Sequence, residues 1–274
     1  MQMETAMLYE FPHPDPERLL IYGWIFRPCM NRRQLLVGSA LGIAGAALPT
    51  MLARPVRAAD PMSQQLLNSL QACTPTDAVA RLLEGNARFV RAWREASVMK
   101  TEQQRMQKLN TIWQDDCMID PAALAQGQKP FAAILCCADS RVDPAWIFAC
   151  DPGELFQVRS AGNTAFDDAI ASLEYAVTAL GTPLVLVMGH SGCGAVKAAV
   201  QTAPLTPLLE QLVKPIRASL VSRDDLTQAS KGNARYAAAQ LTARSAALRD
   251  AIQAGKLTIR SAFFEVDTGK VSLL

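Results

Sequence analysis

The 274-residue sequence predicts an α/β fold: a mostly parallel central sheet flanked by helices, with an N-terminal helical extension. Three observations predict it. From residue 131 onward, short apolar runs alternate with helical segments, the order expected of a parallel sheet with helices on both faces. Half of the residues are hydrophobic, ample for one well-packed domain and a smaller appendage. The residues that carry chemistry follow directly on apolar runs, and ligands of such sheets sit at the carboxyl ends of strands.

The elements follow in chain order. Residues 30–59 read "MNRRQLLVGSALGIAGAALPTMLARPVRAA". The pair Arg32–Arg33 precedes an apolar, small-residue run from Leu35 to Ala53, and Val56 and Ala58 occupy the −3 and −1 positions of a cleavage site. That order predicts an export signal, cleaved near Ala58/Ala59, and the paired arginines point to the twin-arginine route. The competing reading is a retained membrane anchor, but the run is near the minimum length and rich in Gly and Ala. Residues 1–29 are then an upstream segment without function, and Met30 is the expected start. The expected destination is the periplasm, with the export machinery as a partner.

Residues 60–124 are expected to form an N-terminal helical arm. Apolar residues recur at helical spacing through Ala78, Leu82, Leu83 and Phe89, with Thr76 or Asp77 as cap. A second helix is expected over Glu102 to Trp113. The segment 125–130, "AQGQKP", is a loop that opens the α/β domain, 125–274. Strands are predicted over 131–136, 154–159 and 183–190. An amphipathic helix over 167–180 joins the last two. A helix over 236–252 precedes two closing strands around an Asp267–Thr268–Gly269 turn.

Composition narrows the function. The net charge is +2 with no long block of one sign, so no nucleic-acid surface is expected. Seven cysteines are too few and too irregular for a disulfide scaffold. The state of Cys73, Cys117 and Cys150 stays open. Only two histidines are present, His13 and His190.

"LCCADSRVDPAW" at 135–146 runs from a buried strand into thiols and opposite charges, which are costly to desolvate unless paired or bound. Its counterpart is "MGHSGCGAV" at 188–196. His190 and Cys193 stand H-x-x-C at one strand end, and Cys137 ends another. Two thiolates and an imidazole suit one zinc ion per chain, with a fourth position open to water. Cys136 points to the opposite face from Cys137 and is expected in the core. Nothing favours Cys150 as a ligand. Asp139 and Arg141 follow Cys137 by two and four residues. A carboxylate clamped by a guanidinium orients a zinc-bound hydroxide; the bland alternative is a surface ion pair. "GHSGC" is close to G-x-S-x-G, but Cys193 replaces the last glycine and no spare histidine could act as base, so a serine hydrolase is not expected.

These residues are similar to the beta class of carbonic anhydrases from about Leu82 to the C-terminus. The similarity is carried by "LLEGNARF", "CADSRVDP", "GELFQVRSAGN", "SLEYAV", "GHSGCGAVKAA" and "TIRSAFFEVDTGKV". The resemblance implies zinc on Cys137, His190 and Cys193, with Asp139 and Arg141 as catalytic dyad. It implies a carbon dioxide pocket lined by Gln128, Phe156, Tyr175 and Gly194, the pattern of the plant-like, open-site subgroup. It further implies a homodimer or dimer of dimers. Ser160 departs from the family's asparagine. The implied reaction is reversible hydration of carbon dioxide to bicarbonate and a proton, for which zinc lowers the pKa of bound water from about 15.7 toward roughly 7. Two alternatives use the same residues: a carbon disulfide or carbonyl sulfide hydrolase, and a zinc protein without catalysis.

Overall fold

The computed structural model describes residues 68, 70, 73–113, 119 and 121–274, all within a compact unit that spans Arg57–Leu274. The upstream segment, the export signal and its cleavage site lie outside the described residues. Cys73 is disulfide-bonded, whereas Cys136, Cys137 and Cys193 are free thiols.

Helix α1 (Ala78–Ser97) starts where the Asp77 carboxylate accepts from the Val79 and Ala80 N–H groups. Helix α2 (Glu102–Leu109) starts at a Thr101–Gln104 capping box and passes into a 3-10 turn, Asn110–Trp113. The expected helix to Trp113 thus tightens over its last turn. After α3 (Pro121–Leu124), β1 (Ala132–Cys137) and β2 (Leu155–Ser160) flank α4 (Pro144–Phe148). Helix α5 (Asp167–Thr178) leads to β3 (Leu184–His190), followed by α6 (Gly194–Val200) and α7 (Pro207–Ala218), two helices that sequence periodicity did not predict. Helices α8 (Leu226–Arg244) and α9 (Ala246–Gln253) precede β4 (Thr258–Phe264) and β5 (Val271–Leu273).

The single helix expected over 236–252 is a correction. The structure has two helices, broken at Ser245, whose backbone is extended (φ −112°, ψ 116°). The Ser245 hydroxyl accepts from Leu248 N–H, restarting the helix, and contacts Glu174 Oε1 at 2.5 Å. Helix α8 also begins ten residues earlier than expected, behind the Asp225 cap. Its buried face there is small, Ala229, Ser230, Gly232, Asn233 and Ala234, so no apolar period marks it.

The sheet order is β2-β1-β3-β4-β5, with parallel pairs up to β4 and an antiparallel β4–β5 hairpin. Strands β1 and β3 are buried along their whole length, which is why they read as unbroken apolar runs. On one face Ile134, Cys136, Leu186, Met188 and Phe264 pack against Leu82 and Phe89 of α1 and Ile147 and Phe148 of α4. On the other, Ala133, Leu135, Val185 and Val187 meet Ile170 and Leu173 of α5, Ala237 and Leu241 of α8 and Leu248 of α9.

Two residues of "LLEGNARF" explain how α1 seats. A Cβ on Gly85 would lie 1.8 Å from the Phe148 carbonyl oxygen, so only glycine lets the helix touch that backbone. Next to it, the buried Asn86 amide donates to Ile147 O (3.1 Å) and Gly269 O (2.9 Å), while its oxygen accepts from Val271 N–H (2.9 Å). One side chain thus ties α1 to the end of α4 and to the last hairpin.

Candidate metal centre

The parallel register Cys136↔Met188 sets the carboxyl ends of β1 and β3 side by side. Cys137 and His190 therefore leave the sheet together. Cys193 returns to them after a tight turn in which Gly192 takes φ 65°, and it caps the N-terminus of α6. The Cys137, His190 and Cys193 ligand atoms all lie within 4.8 Å of one another, and all three residues are buried. The two sulfurs are 3.9 Å apart. Cys136 faces the opposite, core side, where burial pushes its thiol up to about 12. Alternation along the strand separates the two neighbouring thiols as expected.

The three residues fit a metal ion on two counts. His190 Nδ1 lies 3.0 Å from the Ser191 carbonyl oxygen, which only accepts, so Nδ1 carries the hydrogen and Nε2 holds the lone pair. That Nε2 is fully buried with no hydrogen-bond partner, an arrangement that is costly unless something accepts the lone pair. The second count is charge. Cys137 is held well below the ordinary thiol range, first by its contact with the Cys193 sulfur and also by the Gly162 N–H at 3.2 Å, against the opposing effect of burial. Cys193 is pushed the other way by that same contact with Cys137 and by burial, although the Val196 and Ala195 N–H groups at the start of α6 favour its thiolate. A dication held by Cys137, His190 and Cys193 would let both sulfurs ionise.

Asp139 stands at the rim. Arg141 reaches it in a fork, Nε to Oδ1 at 2.9 Å and Nη2 to Oδ2 at 2.7 Å, and adds its own N–H to Oδ1 at 3.0 Å. Nη2 also reaches the Gly192 carbonyl at 3.3 Å. The guanidinium holds the Asp139 carboxyl well below the usual carboxylate range. Asp139 Oδ2 sits 3.9 Å from His190 Nε2, beside the cluster with both oxygens turned to Arg141.

The residues implied for the substrate pocket are placed differently. Gly194 adjoins Cys193 as the first residue of α6, and a Cβ there would meet open space. The Phe156 and Tyr175 rings face each other at 6.2 Å, with Tyr175 half exposed. Gln128 is exposed in the loop that enters β1.

Sequence reading missed residues that hold this centre from outside. Arg159 donates to the carbonyls of Cys137 (3.3 Å), Asp139 (2.8 Å) and Val142 (2.6 Å), pinning the loop that carries a ligand and the carboxylate. Gly162, at φ 70°, turns its N–H onto the sulfur. The only signal for either lay inside "FQVRSAGN", where an arginine stands near the end of a strand and a glycine follows it.

Comparison with known proteins closes the description. Residues 132–271 match the family profile described as carbonic anhydrase. The chain is 38% identical over 161 residues to carbonic anhydrase 2 of Mycobacterium tuberculosis, covering 56% of this chain and 78% of that protein. It is 35% identical over 163 residues to a carbonic anhydrase of Mycolicibacterium smegmatis, with the same coverage of 56% and 78%. Among solved structures, the Coccomyxa beta-carbonic anhydrase in complex with acetazolamide aligns with a TM-score of 0.51 at 28% identity, over 64% of this chain and 87% of that one. Tetrameric beta-carbonic anhydrases of Sordaria macrospora share the fold, with a TM-score of 0.52 at 23% identity over 56% of this chain and 84% of theirs.

Proposed function

Since the chain belongs to the carbonic anhydrase family and has the fold of its beta class, we propose that it hydrates carbon dioxide reversibly with one zinc ion held by Cys137, His190 and Cys193. The observation that carries this reading is the buried Nε2 of His190, which has no hydrogen-bond partner and lies within 4.8 Å of two thiol sulfurs. When bound, zinc supplies a Lewis acid that makes a water nucleophilic at neutral pH.

The chain's own residues supply orientation. Asp139, ionised and gripped by Arg141, accepts hydrogen bonds and cannot donate one. A nucleophilic oxygen beside it must point its hydrogen at Oδ2, which leaves a lone pair turned toward the substrate. Arg141 keeps Asp139 away from the ligand cluster, which supports the open-site arrangement of the plant-like subgroup. Gln128, Phe156, Tyr175 and Gly194 are proposed to line the carbon dioxide pocket. Phe156 and Tyr175 lie toward β2, an edge strand of the sheet, whose free edge favours a homodimer or dimer of dimers. The periplasm remains the proposed location, on the strength of residues 30–59.

Stopped-flow hydration measured beside zinc content tests the reading. The zinc-loaded protein is expected to be active and the chelated protein inactive, with activity restored by zinc. A protein that carries zinc and shows no hydration would refute it.

A further inference from the structure

The Gly162 peptide raises an accounting question. Its N–H is spent on the Cys137 sulfur, and its carbonyl also sits in the interior, where it needs a donor. That donor is Asn233 of α8, 71 residues along the chain, whose Nδ2 lies 2.7 Å from Gly162 O. Asn233 is 2% exposed. A carbonyl only accepts, so the amide must turn its donor toward Gly162; its own oxygen lies 3.2 Å from the Ser219 hydroxyl, whose hydrogen is shared with the Ile216 carbonyl at 2.7 Å.

The turn needs such a hold. Gly162 (φ 70°) and Asn163 (φ 47°) are both left-handed, a pair of uncommon conformations open to glycine and, among other residues, most readily to asparagine. The packing that brings Asn233 within reach is built in. A Cβ at Gly189, the residue before His190, would come 2.9 Å from the Ser230 carbonyl oxygen, so α8 lies directly on β3. A Cβ at Gly162 would come 2.6 Å from Ile216 Cδ1 and 3.1 Å from Ala195 Cβ, so the turn is wedged between α6 and α7.

We propose that Asn233 is a positioning residue of the metal centre: by holding the Gly162 carbonyl it keeps the Gly162 N–H on Cys137 Sγ. The consequence is electronic. An N–H bond to a metal-bound thiolate draws electron density from sulfur, so the metal stays a stronger Lewis acid than two unrestrained thiolates would allow. This inference rests on the reading that Cys137, His190 and Cys193 hold the metal.

Cobalt(II) in place of zinc reports on sulfur directly, through the sulfur-to-cobalt charge-transfer band. Asn233→Leu is near in volume and has no donor. It is expected to keep one cobalt per chain and to move the band to lower energy. The zinc form is expected to lose on the order of 10-fold in kcat/KM, the lower end for outer partners of metal ligands. Leu241→Ala, an apolar truncation in the same helix, is expected to lower the melting temperature and leave the band in place. If Asn233→Leu does not fold, Ser219→Ala frees the Asn233 oxygen and is expected to shift the band the same way by less. An unmoved band in the folded Asn233 variant, or in Ser219→Ala where that variant is unfolded, overturns the proposal. An equal shift in Leu241→Ala also overturns it, because loosening alone would then explain the effect. Wild-type protein that takes up neither cobalt nor zinc overturns the metal reading itself, an outcome distinct from the others.

Discussion

Asp139→Asn isolates the role assigned to the rim carboxylate. The aspartate takes three contacts from Arg141, at 2.9, 2.7 and 3.0 Å, all as an acceptor. An asparagine has one oxygen and one amide nitrogen. Whichever way it turns, its NH₂ meets an Arg141 donor, and its orientation beside the cluster is lost. The expected effect is a hydration rate lower by about 10²–10⁴-fold, the range for a positioned acid–base group. At 1.36 kcal/mol per decade that is roughly 2.7–5.4 kcal/mol of transition-state stabilisation. Stability should change little, because the Arg141 side chain is half exposed and such pairs contribute about 0–1 kcal/mol. Zinc content should not change, since Asp139 is outside the ligand cluster. The pH sign is fixed by the depressed carboxyl. Its contribution is present above the usual carboxylate pKa of about 3.9 and is lost only as pH falls through the lower folded-state value. A near-neutral limb in the wild-type rate profile, if measured, is therefore not expected to belong to Asp139. The assay is stopped-flow hydration with metal analysis and a thermal melt on the same preparation. Full rate with full zinc in the variant would refute the orienting role.

Cys193→Ser should lose zinc and activity while Cys136→Ser keeps both, as metal analysis will show; the reverse result would contradict the strand-facing assignment. Gly85→Ala should destabilise by at least about 2 kcal/mol, because its Cβ meets the Phe148 carbonyl at 1.8 Å and backbone must shift. That corresponds to roughly 4–8 °C in melting temperature for a domain of this size, and an unchanged melt would show that α1 is not seated through that contact. Replacing Arg32 and Arg33 with lysine should hold the protein in the cytoplasm, and mass spectrometry of the exported form should find an N-terminus near Ala59. A mature protein that begins at Met1 would refute the signal.

Legibility in the sequence followed burial. Strands β1 and β3 were readable because both faces are covered, so nearly every residue is apolar. Their ends then carried Cys137 and His190, and local spacing supplied Asp139, Arg141 and Cys193. The residues that escaped notice act across the fold. Arg159 serves backbone carbonyls, which carry no sequence signature. Asn233 reaches Gly162 only because glycines let α8 approach, and its helix is made there of small residues without an apolar stripe. The break at Ser245 was hidden for a related reason: a serine inside an alanine-rich run looks like helix until its cap contact with Leu248 is known.

The Asn86 contacts have a consequence in time. Their partners Gly269 and Val271 lie 183 and 185 residues downstream, so the clamp joins nearly opposite ends of the described chain. At a synthesis rate of about 5–20 residues per second, that stretch takes roughly 10–40 s to translate. Through that interval the amide of Asn86 and the apolar side chains of Leu82 and Phe89 on α1 lack their final neighbours in the hairpin. Closing a loop of that length also costs roughly 4–5 kcal/mol of chain entropy beyond a constant. The contacts of α1 with the hairpin are therefore expected to close late, after its seat on α4, whose residue Ile147 lies only 61 residues downstream of Asn86.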